Sequence, residues 1–518
     1  MFAGVILSVA LAQAQGAIPS LASLLAARRT AMQRMGATGA KSFEMDGTLA
    51  GSALFGRFQS WHNGDNDRYD ESEGVRREST IRIGSRVYVV NSTGNVRELR
   101  GLLLQRQKSA DFIDSQDFVT EPQYDRLIGL ETLPDGRSAY AIEVTPPGGL
   151  PETIDLDVGT SMIDRISYDS DDGVTSEDYY AYHVVGGVLL PSREVDSNGD
   201  HAYDIIRTTL HASVGEPVPS DVFAIPANTV VQTDKPVTVP LTYRGGHNYV
   251  TVELRRRRCT FLVDTGAQAV AVDSSVAAEV GLQIEGHLEV AGVQRTGGSG
   301  IAPLGGIEIG AATLPVGVVT VLSLRDVAPP YTVDGILGYP FFASAEVRID
   351  QAAGTMTFGK PGSLGTDGSE IPVDSDRQLV EVHGAVDGIG GRFVLDTGNT
   401  NELLIFAPFA QMHPRLAPVA ASHSSYNFGV GGSTRAISTV VDELDFGPFR
   451  LFNRVAAVMA TSQGAFADRF DAGNIGMGSL KNFVMTFDLA HGRMYARPGP
   501  QFDDGRFRST YEPIYPHG

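Results

Sequence analysis

The chain has 518 residues, 42% hydrophobic and 20% charged, with 59 glycines and 27 prolines, which excludes a largely disordered protein and leaves room for roughly three or four domains. Lys+Arg 41 against Asp+Glu 61 gives a formal charge of −20, so nucleic acid and polybasic membrane attachment are excluded as partners. The single cysteine, Cys259, rules out an intramolecular disulfide framework and any multi-cysteine zinc or iron–sulfur site.

In chain order, no charged side chain precedes Arg28, and Phe2 to Ala12 is an apolar run followed by the small-residue pattern around Ala12 and Ala14. Residues 1–15 therefore read as an export signal, and the chain is expected to be periplasmic or secreted. The run is shorter than the roughly 20 apolar residues of a bilayer span, so no stable membrane span is expected. Pro19 to Met35 is predicted as one amphipathic helix with Leu21, Leu24, Leu25 and Met32 on one face and Gly36 as its stop. From Ser42 the texture changes to short alternating strands, such as Ile81–Ile83, Val87–Val90, Tyr140–Val144, Ile163–Tyr168 and Tyr203–Ile206. Strands at turn-sized spacing argue for an antiparallel sheet rather than βαβ units.

This first domain, 17–225, resembles the bacterial lipoprotein-carrier sheet, a curved antiparallel half-barrel closed by a helix, in texture and in phrases such as Met162-Ile163-Asp164-Arg165-Ile166 and Gly187-Val188-Leu189-Leu190-Pro191. That resemblance implies an apolar concavity, which Trp61 could line, although packing in the core is the simpler role for a lone tryptophan. The acidic runs Asp65–Asp70 and Asp169–Asp172 lack calcium-loop spacing and read as solvated turns.

Self-comparison reveals an internal repeat. Phe261-Leu262-Val263-Asp264-Thr265-Gly266-Ala267 recurs 132 residues later as Phe393-Val394-Leu395-Asp396-Thr397-Gly398-Asn399. Gly335-Ile336-Leu337-Gly338 is answered by Gly473-Asn474-Ile475-Gly476, and Asp350 and Asp488 each follow their second glycine by twelve residues, before a short strand. Ile307-Glu308-Ile309-Gly310 likewise matches Leu444-Asp445-Phe446-Gly447. Four landmarks in one order predict two equivalent lobes, 236–361 and 370–498, with a tail at 499–518.

The paired Asp-Thr-Gly units resemble the aspartic proteases, specifically the retropepsin-like bacterial type, arranged in tandem so that one chain supplies both halves of a pepsin-like site. The resulting expectation is a mainly β protein: two acid-protease β-barrel lobes preceded by a curved antiparallel sheet with an N-terminal helix. Two carboxylates within hydrogen-bonding distance share one proton, so Asp264 and Asp396 are the expected catalytic pair, activating a water for attack on a peptide carbonyl. The resemblance implies a peptide or protein substrate, an active monomer, and neither metal nor cofactor. It further implies that Thr265 and Thr397 cross-brace the two loops, with Gly266 and Gly398 allowing close backbone approach.

Glycine-rich hairpins at Gly292–Gly300, containing Gly297, Gly298 and Ser299, and at Phe428–Thr434, containing Gly431 and Gly432, are the expected flaps over substrate. Lobe two departs from the family pattern: Asn399 replaces a small residue, and Asn474 stands where an apolar one is usual. A buried Asn474 would need partners. Arg255–Arg258 is an isolated basic block, read as a processing site or a solvated hairpin. Cys259 has no neighbouring histidine to make it a nucleophile. A non-enzymatic alternative is an exported peptide- or lipid-binding carrier on an inactive protease-like platform.

Overall fold

The computed structural model describes residues 18–36, 41–171, 173–416, 424–461 and 463–506. The export signal expected at 1–15 and residues 507–518 of the tail lie outside them. Among the described residues, no helix is long and apolar enough to cross a membrane.

Residues 42–214 form one 13-stranded sheet in which consecutive strands pair antiparallel, except Val96–Glu98 and Asp125–Thr132, which are its two edges. Its first strand, Ser42–Gly51, lies beside its last, Ile205–Val214, in register Phe43 to Val214. The chain therefore enters and leaves this sheet at the same place, next to the rest of the molecule. Helix α1 (Leu21–Arg34) is capped by Ser20, whose side chain accepts from the Ser23 N–H. It buries Leu24 and Leu25 as predicted, but its third buried side chain is Arg28, and Met32 stays partly exposed. The Arg28 guanidinium is satisfied by Gln116 Oε1 at 3.0 Å and the Ser161 carbonyl at 3.3 Å. Two further helices, α2 (Leu102–Asp114) and α3 (Asp117–Thr120), interrupt what was read as uninterrupted strands. Helix α2 fully buries only Leu102, Ser109 and Ile113, too sparse an apolar stripe to announce itself. The strand anticipated from Tyr203 begins at Ile205, after a single turn of 3₁₀ helix at His201–Tyr203.

Strand register assigns the faces, since paired residues share a side. Ile142, Ile154 and Ile166 form an apolar core with Leu24, Leu25, Ile113 and Phe118 of the helices. Moving across the same face, Ile166 pairs with Glu177, Glu177 with Asp196, Tyr179 with Glu194, and Glu194 with Arg207. The middle of the helix-covered face is thus charged rather than apolar. Arg207 donates to Glu194, Asp196 and the Tyr69 hydroxyl, and burial pushes the Glu194 carboxyl up to about 8. Trp61 sits one position out of step with the Ser60–Tyr69 pair and so lies on the opposite face.

The remaining chain builds three sheets. A ten-stranded and a seven-stranded sheet each contain one Asp-Thr-Gly unit. Between them, a six-stranded sheet takes strands Val237–Pro240, Glu346–Asp350 and Thr355–Gly359 from one half and Ser369–Pro372, Phe483–Asp488 and Arg493–Pro498 from the other. The strands that end at Asp350 and Asp488 pair with each other across the lobes, Val347 opposite Phe487 and Ile349 opposite Met485. Phe341, Phe342, Phe358 and Phe487 pack edge to face beneath this sheet, at centroid separations of 5.3–5.4 Å. One continuous core therefore runs through both halves. The N-terminal sheet docks on this unit through Asp376, which accepts from the Arg100 and Gly101 N–H groups, and through Asn95 on Ser344. It also touches the first glycine-rich hairpin, where the His287 N–H meets the Ser52 carbonyl at 2.6 Å.

Candidate active site

Strand Arg257–Val263 runs parallel to Gly335–Leu337, and Ile389–Asp396 runs parallel to Gly473–Gly476. Phe261, Leu262, Val263, Phe393 and Leu395 are sealed from solvent, which anchors both aspartate loops on rigid elements. The second glycine of each downstream motif fits under its loop. A Cβ on Gly338 would stand 2.2 Å from the Ala269 carbonyl, and one on Gly476 would stand 2.4 Å from the Asn401 carbonyl.

The two loops meet through reciprocal hydrogen bonds. The Thr265 N–H donates to Thr397 Oγ1 and the Thr397 N–H to Thr265 Oγ1, each at 3.0 Å. Each hydroxyl then donates onward, Thr265 to the Leu395 carbonyl at 2.6 Å and Thr397 to the Val263 carbonyl at 2.8 Å. Both threonines are fully buried. This brace presses each glycine against the opposite carboxyl: a Cβ on Gly266 would lie 2.5 Å from Asp396 Cγ, and one on Gly398 would lie 2.3 Å from Asp264 Cγ. Only glycine permits that approach. The Gly266 and Gly398 N–H groups each donate to the Oδ1 of their own aspartate at 2.9 Å.

Asp264 and Asp396 are hydrogen-bonded to each other, and burial pushes both carboxyls above the ordinary range. Two buried acids in contact cannot both ionise cheaply, so the pair retains one proton to higher pH than an isolated carboxyl would. The arrangement can hold a water, take a proton from it at one oxygen, and deliver a proton at another.

The hairpins differ from expectation in detail. The first runs Glu285–Ala291 and Arg295–Pro303, so its tip is Gly292-Val293-Gln294. Gly297, Gly298 and Ser299 lie in its second strand instead. Ser299 is buried and its hydroxyl donates to the Leu288 carbonyl, which fastens the hairpin rather than facing a substrate. In the second hairpin, Ser424–Gly429 and Gly432–Phe446, Gly431 is at the tip and Gly432 opens the returning strand. Gly298, at φ +82°, serves an irregular strand rather than a turn.

The two tips cross. Val293 of the first is buried among Leu404, Phe406, Ala436, Ala457, Met459 and Phe466 of the second lobe. Val430 of the second packs on the first-lobe cluster that includes Tyr249, Ile336 and Ala267. Gln294 Nε2 donates to the Ser433 carbonyl at 2.6 Å. Each lobe therefore holds the other's hairpin.

The departures in lobe two find specific contacts. Asn399 Oδ1 accepts from the Asn401 N–H and side chain, and Asn401 continues to Asn427 Oδ1 on the second hairpin at 2.7 Å. Asn474 Nδ2 donates to Asp396 Oδ2 at 2.7 Å. Elsewhere, Arg255 and Arg256 form a tight turn at positive φ, the solvated hairpin foreseen. Cys259 is buried beside Arg257, and burial raises its thiol, which leaves it a poor nucleophile. Tyr426 is an exposed strand residue.

Residues 250–344 match the family model of the gag-polyprotein putative aspartyl protease. The matched segment of this aspartyl-protease-like half carries Asp264, the first hairpin and the Gly335–Gly338 motif. No curated protein matches the chain. Among solved structures, it is similar to the aspartic proteinase from Irpex lacteus at 14% identity, covering 51% of this chain and 98% of that one, with a TM-score of 0.34. It is also similar to a putative outer membrane lipoprotein-sorting protein domain from Vibrio parahaemolyticus at 10% identity, covering 39% and 95%, with a TM-score of 0.28. A LolA superfamily protein from Nitrosomonas europaea is 13% identical, covering 38% and 97%, with a TM-score of 0.27.

Proposed function

We propose that the chain is an aspartic endopeptidase whose site is completed within one molecule by Asp264 and Asp396. The observation that carries this reading is the contact between the two buried carboxyls, held by reciprocal threonine bonds from two copies of one motif. In the proposed cycle the ionised aspartate removes a proton from the bound water as its oxygen attacks the peptide carbonyl. The protonated aspartate gives its proton to the carbonyl oxygen, and collapse of the tetrahedral intermediate expels the amine. The crossed hairpins form a cover whose opening admits an extended peptide and whose closure excludes bulk water.

The test is cleavage of a denatured protein mixture across a pH series, with and without a transition-state-mimicking aspartic-protease inhibitor. Inhibitor-sensitive cleavage that disappears in Asp264→Asn and in Asp396→Asn, with both variants folded, is the expected result. Full activity in either variant overturns the assignment. Absence of inhibitor-sensitive cleavage at every pH would instead favour a binding platform. The charged middle of the N-terminal sheet argues against an apolar ligand there. Export, proposed from Phe2–Ala14, is tested by recovering the chain outside the cytoplasm with its N-terminus after Ala12 or Ala14.

A further inference from the structure

The two lobes are not equivalent at the atom that matters most. By register, Ile336 pairs with Leu262, two residues before Asp264, and Asn474 pairs with Val394, two residues before Asp396. The same backbone position therefore holds an apolar side chain in one lobe and an amide in the other. Ile336 is buried in the first-lobe apolar cluster. Asn474 is equally buried, at 6% exposure, and its Oδ1 has no hydrogen-bond partner. A buried, half-satisfied amide costs stability that an isoleucine at this site would not. What the amide supplies is its Nδ2–H, directed at Asp396 Oδ2. Together with the Gly398 N–H on Oδ1, it gives both oxygens of Asp396 an N–H donor. The N–H donors to Asp264 are instead backbone groups, those of Gly266, Gly398 and Ala267, with no side-chain amide among the described residues.

An N–H bond to a carboxyl oxygen favours the ionised form of that carboxyl over the protonated one. Resting on the endopeptidase reading, we propose that Asn474 is a positioning residue that makes Asp396 the ionised member of the pair, leaving Asp264 to hold the proton. The roles in the first step follow. The water proton moves to Asp396 as the water oxygen bonds to the carbonyl carbon, and the carbonyl π pair takes the proton from Asp264. Atoms and charge balance, and the negative charge passes from Asp396 to Asp264. The titratable groups facing Asp396 are Asp264 itself and, across the Gly398 backbone, His247, whose imidazole burial lowers below its ordinary range.

The decisive experiment uses Asn474→Ile, which copies the first lobe, and Asn474→Val as a smaller second variant. If Asp396 carries the charge, loss of the donor raises only the first macroscopic pKa of the pair. The acid limb of kcat/KM then moves up by about one pH unit while the basic limb stays, because a bond to a charged acceptor outweighs one to a neutral acceptor by about that much. A shift of the basic limb alone, or of neither limb, overturns the assignment. A second readout does not need turnover: the difference in unfolding free energy between wild type and each variant, followed against pH. The wild type should gain relative stability as pH rises through the ionisation of Asp396. A difference that is flat with pH overturns the inference whether or not the protein cleaves peptides. A pH-linked difference in a protein without cleavage supports it while the endopeptidase reading fails.

Discussion

Thr397→Val removes one hydroxyl from the lobe junction and keeps the shape of the side chain. Two buried groups lose their partners: the Thr265 N–H, which donates to Thr397 Oγ1, and the Val263 carbonyl, which accepts from it. Thr397 is sealed from solvent, so water does not replace either bond without disrupting the loops. At about 1–3 kcal/mol per orphaned buried group, the expected loss for two groups is roughly 2–6 kcal/mol. Thr265→Val should cost a similar amount, because it orphans the Thr397 N–H and the Leu395 carbonyl. Urea unfolding of both single variants and the double variant would measure these values as shifts in midpoint at constant slope. The double loss should fall short of the sum of the singles, since the first substitution already loosens the contact that the second would break. Single losses below about 0.5 kcal/mol, or strict additivity, would refute the view that these threonines hold the two loops together.

Three further outcomes follow from the same geometry. Gly398→Ala, whose Cβ would stand 2.3 Å from Asp264 Cγ, should displace that carboxyl and lower kcat at least about 10²-fold while the chain stays folded; near-normal kcat would contradict the close approach. Burial raises the carboxyls of both Asp264 and Asp396, so the folded pair binds more protons than the unfolded chain above the ordinary carboxylate range, and stability should fall as pH rises through that window. Asp396→Asn should therefore be relatively more stable than wild type at neutral pH, with the advantage vanishing in acid, and unfolding in a pH series would reveal a flat difference if the pair does not hold its proton. Val293→Ala deletes two buried methyl groups from the crossed tips, worth about 1.5 kcal/mol, and should speed hydrogen exchange in the two hairpins about tenfold. Exchange that rises across the whole first lobe instead would mean that Val293 supports the core rather than the cover.

Periodicity along the chain was enough to read α1, the meandering strands of the first domain and the two-lobed repeat. Each rests on local spacing: Leu24 and Leu25 on one helix face, apolar triplets before Asp264 and Asp396, glycines at matched offsets. Helix α2 was not legible, since only Leu102 and Ile113 are apolar on its fully buried stripe and Ser109 stands between them. The burial of Arg28 was not legible either, because charge alone says nothing of Gln116 and the Ser161 carbonyl waiting for it. The glycine-rich hairpins were legible as hairpins, but not which glycines form the tip, because φ at Gly298 is set by strand irregularity rather than by the turn.

The sequence by itself determined the chemical inventory and its duplication: two aspartates, two threonines and two glycines in equivalent settings, with one cysteine and no disulfide to hold them. Tertiary structure alone decided how the duplicates are used. Strands ending at Asp350 and Asp488 pair with each other across the lobes as well as with the next strand of their own, and the hairpin tips exchange partners. Those pairings join residues more than a hundred positions apart, through backbone groups and apolar surfaces that carry no local signature. Tertiary structure also made the duplicates unequal. Asn474 is an anomaly when read along the chain, and becomes a donor to Asp396 only when a parallel strand brings it beneath the carboxyl.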